Sequence, residues 1–152
     1  MSSDLQGLDP TATILLVEDD PADTILIRRA LARAGIMNRL QVVPDGDAAV
    51  AYLSGAPPYE RAKNPMPSLV MLDLKLPRRS GLEVLEWIRN QPGMIKRLPV
   101  IVLTSSNENQ DIRGAYDLGA SSYLVKPGSF SKLIEVMESV RAYWIARNVY
   151  SG

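Results

Sequence analysis

The chain has 152 residues, 46% of them hydrophobic and 22% charged, which suits one globular domain with a real core. Lysine plus arginine and aspartate plus glutamate number 17 each, so the charge balance gives no reason to expect a nucleic-acid or membrane partner. With neither cysteine nor histidine, disulfides, thiolate catalysis, imidazole metal sites and histidine-based triads are excluded.

Residues 1–12 are polar, contain Gly7 and Pro10, and read as a flexible tail before a domain over 13–148, with 149–152 a short C-terminal tail. The run ILLV at 14–17 is short, branched and continuous, the pattern of a strand buried on both faces. Asp20-Pro21 reads as an N-cap followed by proline in the first helical position. Ile27, Leu31 and Ala34 give that helix an apolar stripe, and Gly35 ends it. A second strand is expected over 40–43 and a short helix over 45–53. Four prolines mark 54–68 as a loop. The apolar run 69–72 ends at Asp73. Ser80-Gly81-Leu82-Glu83 matches a capping box ahead of Val84, Leu85 and Ile88. Pro99 opens the strand VIVL, which ends at Thr104. Residues 108–118 are helical in pattern with Gly119 as the stop, and 122–125 form the last strand, ending at Lys126-Pro127. Phe130, Leu133, Met137, Val140 and Trp144 mark one face of a long final helix.

Strands alternating with helices imply an α/β fold with a parallel sheet, helices on both faces and right-handed crossovers. For five strands the expected doubly wound order is 2-1-3-4-5, with ligands bound outside the carboxyl ends of the strands. Those ends carry Glu18 and Asp19, then Asp73, then Thr104 and Ser105, then Lys126. Singly, each has a plain explanation: acids after strands are often caps, and a lysine before proline is often solvated. Together, at four of the five strand ends and on one edge, they point to a ligand. Oxygen donors without histidine or cysteine select magnesium or calcium over zinc. A metal, a lysine and a hydroxyl are what a phosphoryl group needs for charge neutralisation and hydrogen bonding.

VEDD at 17–20, LDLKLPRRSG at 72–81, VLTSS at 102–106 and YLVKP at 123–127 resemble the receiver domain of bacterial response regulators. The resemblance covers nearly the whole chain and implies a (βα)5 flavodoxin-like fold. It implies that Asp73 accepts a phosphoryl group from a phosphohistidine on a sensor histidine kinase. It also implies Mg2+ bound directly by Asp19 and Asp73, by Glu18 through water, and by the backbone carbonyl of Lys75. Thr104 and Lys126 would then contact phosphoryl oxygens, Lys126-Pro127 would be cis, and Thr104 with Tyr123 would form the switch. Such a protein catalyses only its own phosphorylation and slow dephosphorylation. Two features depart from the common pattern: Lys75, where relatives often carry a small or apolar residue, and Asp20, a cap more than a ligand.

A chain this short implies a single-domain regulator that acts on an unknown downstream protein through its own surface. The insert GAPPYERAKNP, with VEDDPAD and VRAYWIA, resembles the small regulators that partner bacterial phytochrome histidine kinases. Val136 and Tyr143 form a second apolar stripe on the final helix, which suggests a homodimer through the last two helices and the last strand. Arg78 and Arg79 stand where they could help dock a kinase. Two other classes compete: a magnesium-dependent hydrolase of the haloacid dehalogenase type, and a constitutive dimerisation or binding module. Against the hydrolase, Asp73-Leu74-Lys75 lacks the second acid that chemistry uses two residues on. Nucleotide-binding loops of the GxxxxGK[ST] or GxGxxG kind are absent. No apolar run reaches membrane-spanning length and the N-terminus lacks a signal-peptide core, so a cytoplasmic location is expected.

Overall fold

The computed structural model describes residues 11–151, with side chains through Trp144. The elements are β1 (Thr13–Val17), α1 (Pro21–Arg33), β2 (Arg39–Val43), α2 (Gly46–Ser54), β3 (Leu69–Leu72), α3 (Gly81–Arg89), β4 (Val100–Thr104), α4 (Asn109–Asp117), β5 (Ser122–Val125) and α5 (Phe130–Ser151). A single helical turn, Gly93–Lys96, sits between α3 and β4. The apolar pattern does not foretell it, because four residues with none buried carry no periodicity to read. The expectation of a flexible tail over 1–12 falls, for residues 1–10, outside the described residues.

The five strands form one parallel sheet in the order β2-β1-β3-β4-β5, the doubly wound 2-1-3-4-5 arrangement. Because side chains alternate across a strand, each continuous apolar run supplies both faces. Leu15, Val17, Val70, Leu72, Val100 and Val102 pack on the side that also holds Ala49, Leu53, Leu85, Ile88 and Ala115 from α2, α3 and α4. Ile14, Leu16, Leu69, Met71, Ile101 and Leu103 pack on the other, against Ile27 and Leu31 of α1 and Leu133, Met137, Val140 and Trp144 of α5.

Local chemistry starts and stops the helices as the sequence indicates. The Asp20 carboxylate caps α1 by accepting from Ala22 N–H, with Pro21 at the first helical position. Ser80 and Glu83 complete the capping box of α3. Gly35 and Gly119 follow α1 and α4 with φ of 88° and 99°, a left-handed conformation that costs glycine little.

The proline-rich segment between α2 and β3 has no regular structure, yet it is fastened at several points. Tyr52 Oη donates to the Pro65 carbonyl, and Arg61 donates to the carbonyls of Leu53 and Asn64. Arg39 of the edge strand donates to the Lys63 carbonyl.

Candidate functional site

Register brings the acids together. Val17 lies beside Leu72 in the ladder, so the next residues, Glu18 and Asp73, leave adjacent strands at the point where the strand order reverses. The ladder runs one step further: Asp73 N–H donates to the Val17 carbonyl and Glu18 N–H to the Val43 carbonyl. At the other side of the cleft Lys126 N–H donates to the Thr104 carbonyl at 2.7 Å, which fixes the root of the lysine.

The result is a cleft of about 480 Å3 lined by Glu18, Asp19, Asp73, Lys75, Thr104 and Lys126, together with Asp20, Asp23 and the 105–108 loop. All the strand-end residues singled out from the sequence line this one cleft. Glu18, Asp73 and Thr104 are buried, whereas Asp19 is exposed at the mouth. Lys126 Nζ donates to Glu18 Oε1 at 2.7 Å, Asp23 Oδ2 at 2.8 Å and Asp73 Oδ2 at 3.0 Å. Burial works to lower the basicity of this ammonium, but its hydrogen bonds to Asp23, Glu18 and Asp73 outweigh that and hold its pKa well above the ordinary lysine value. Burial raises the Glu18 carboxyl above its ordinary value, against the pull of Lys126 and of the Asp20 N–H.

One carboxylate oxygen from each of Glu18, Asp19 and Asp73 lies within 4.8 Å of the others, close enough to share a cation. The donors are all hard oxygens, so the set fits Mg2+ or a similar divalent ion. The Lys75 side chain is exposed at the cleft, and the Lys75 backbone N–H donates to Asp73 Oδ1 at 3.4 Å.

Asp23 was not anticipated from the sequence. It occupies the third position of α1, where an acid ordinarily serves the helix terminus, and only the fold sets it against Lys126, 103 residues away. Its spacing from Asp20 is that of a capping box, the one signal that could have drawn attention to it. Tyr123 is half-buried, and its phenol donates to the Ser106 carbonyl at 2.9 Å, while Ser106 Oγ donates to Asp111 of α4. Burial pushes the Tyr123 phenol up, and neighbouring acids add to the effect, so it remains a donor.

Two expectations need correction. The Lys126-Pro127 bond is trans; among the described residues the cis bond is Pro57-Pro58. Lys126 reaches three carboxylates from the trans form, so its placement does not require cis. Arg78 and Arg79 bridge Asp45 and Asp47 at the start of α2, tying the 74–80 loop to that helix, and the Arg78 side chain stays 69% exposed. Val136 and Tyr143 pack half-buried against the core, so that stripe widens the core face of α5.

The response regulator receiver domain model matches residues 14–138. The chain belongs to the response regulator receiver domain family. This receiver domain is 39% identical over 151 residues to the probable methanogenesis regulatory protein FilR2 of Methanothrix harundinacea, covering 99% of this chain and 95% of that one. It is 37% identical to response regulator Rcp1 of Synechocystis over 137 residues, 90% and 91% of the two chains. Among solved structures it resembles the phosphorylated cyanobacterial phytochrome response regulator RcpA, with a TM-score of 0.81 and 38% identity over 89% of this chain and 94% of that one. The Mn2+-bound form of Rcp1 gives a TM-score of 0.79 at 36% identity, covering 88% and 94%. A two-component response regulator role follows, and neither the hydrolase nor the constitutive module is favoured. Among the described residues no helix is long and apolar enough to cross a membrane.

Proposed function

We propose that this receiver domain accepts a phosphoryl group on Asp73 from the phosphohistidine of a sensor histidine kinase, with Mg2+ as cofactor. The observation that carries this reading is the meeting of Asp73, two further carboxylates and the Lys126 ammonium in one partly buried cleft. Glu18, Asp19, Asp73 and the Lys75 carbonyl would hold the ion, which neutralises phosphoryl charge when bound. A carboxylate oxygen of Asp73 attacks phosphorus, the phosphorus–nitrogen bond of the donor breaks, and the imidazole leaves with the electron pair. Lys126 pairs with one phosphoryl oxygen and the Thr104 hydroxyl with another. Attack of water on the aspartyl phosphate later returns Asp73 and inorganic phosphate, so the protein is a switch and not a turnover enzyme.

Thr104 and Tyr123 fit the switch role, because Tyr123 is bonded to the loop that follows Thr104. A change in that loop would therefore reach the β5 and α4 surface. Tyr116 and Val125 stand exposed there, which supports a homodimer or a downstream protein contact through α4, β5 and α5. Likeness to the phytochrome regulator RcpA supports a phytochrome histidine kinase as the donor. The comparable likeness to the probable methanogenesis regulatory protein FilR2 makes donor identity the part to test first.

Incubation with acetyl phosphate and Mg2+, followed by intact mass, is expected to give a single phosphoryl adduct that Asp73→Asn abolishes. An adduct that persists in that variant would overturn the assignment. Transfer from an autophosphorylated phytochrome kinase, compared with an unrelated kinase, tests the donor. Sedimentation with and without acetyl phosphate tests the dimer, and a monomer in both conditions would dispose of it.

A further inference from the structure

Two of the three carboxylates bonded to Lys126, Glu18 and Asp73, are also candidate ligands for the divalent ion. Asp23 is bonded to the lysine and, among the described residues, lies outside the set of candidate metal ligands. A cation that draws the oxygens of Glu18 and Asp73 toward itself weakens their bonds to the ammonium and repels it. The Lys126 side chain is only 11% exposed, so an acceptor within the cleft must take over.

Asp23 is free to do so. At the third position of a helix an acid commonly turns back to the N-cap N–H. Here the Asp20 N–H is already bonded to Glu18 Oε2 at 3.1 Å, which leaves the Asp23 carboxylate to face Lys126 at 2.8 Å. With its side chain 33% exposed, it has room to follow Nζ as the ammonium shifts.

We propose that Asp23 is a positioning residue that holds Lys126 at the rim of the cleft once the divalent ion occupies Glu18, Asp19 and Asp73. An ammonium has three N–H donors. One bonded to Asp23 keeps the group in place while another is left for a phosphoryl oxygen on Asp73. This rests on the function proposed above for the role of Lys126, but the hand-over itself concerns metal binding alone.

The test is a double-mutant cycle read by calorimetric titration of the full chain with MgCl2 or MnCl2, without phosphodonor. In Asp23→Asn, Lys126 falls back on Glu18 and Asp73 and competes with the ion, so the metal Kd is expected to rise about fivefold. In the Lys126→Met background the same Asp23→Asn change is expected to alter Kd by less than about twofold. Asp23→Glu, which keeps the charge, is expected to restore most of the affinity. An equal rise in both backgrounds would mean that Asp23 acts merely as a nearby negative charge, and would overturn the proposal. No rise in the otherwise unaltered chain would overturn it as well. If the cycle holds while the unaltered chain forms no adduct with acetyl phosphate, the phosphorylation reading fails and the hand-over stands.

Discussion

Replacing Lys126 by methionine keeps the apolar stem and deletes the charge that Glu18, Asp73 and Asp23 share. The side chains of Glu18 and Asp73 are 1% and 10% exposed, so both lose their counter-ion in a place water reaches poorly. Removing one partner of a buried pair costs about 3–5 kcal/mol. Asp23 is one-third exposed and contributes only what a surface pair does, and the open cleft lets water relieve part of the rest. A loss of about 3 kcal/mol without metal is therefore expected. For a chain of this size that lowers Tm by about 6–12 °C. A divalent ion at a hundred times its Kd returns about 2.7 kcal/mol, and in the variant it does so without competing against an ammonium. Thermal melts at neutral pH, with and without MgCl2, should thus differ widely without metal and converge with it. A variant that melts within about 2 °C of the unaltered protein without metal would refute the idea that Lys126 balances the buried acids. An equal Mg2+ gain in both proteins would refute the idea that lysine and metal compete.

Two further predictions concern the scaffold of the site. A Cβ at Gly81 would lie 2.2 Å from the Asp73 carbonyl oxygen and 2.6 Å from Leu74 Cα, backbone that cannot step aside. Gly81→Ala is therefore expected to lose about 3 kcal/mol in urea unfolding and to form less acetyl-phosphate adduct, since Asp73 must move with the helix start. Hydrogen bonds from the Ser80 backbone and side chain hold the Glu83 carboxyl below its ordinary 4.5. A lowered carboxyl pKa stabilises the fold above the unfolded value and loses that contribution as pH falls through the folded one. Glu83→Gln keeps the capping geometry without the titration, so the Tm difference between the two proteins should shrink below pH 4.5.

The strand ends were legible because the runs are short and continuous and are bounded by residues with a local job. Asp20 and Pro21 start α1, Ser80 and Glu83 start α3, and Gly35 and Gly119 stop the helices they follow. Each of those signals acts within about one turn of chain, so a linear reading finds it. The single turn at Gly93–Lys96 has no fully buried residue and is too short to show a pattern. In the sequence Val136 and Tyr143 form a second apolar stripe because periodicity gives the angle of a residue around a helix, not how far the neighbouring layer wraps it.

By itself the sequence determined the order of elements, their alternation and the identity of the groups at the strand ends, all consequences of side-chain period and local capping. Only the tertiary structure decided the partners. Parallel register sets Glu18 beside Asp73 across two strands far apart in the chain, and the last strand delivers Lys126 to both. Asp23 joins them because its helix terminus is already served by Glu18, a competition for one N–H that no spacing rule records. Pairing of charges across a sheet depends on which strands become neighbours, and that is settled by the packing of whole layers.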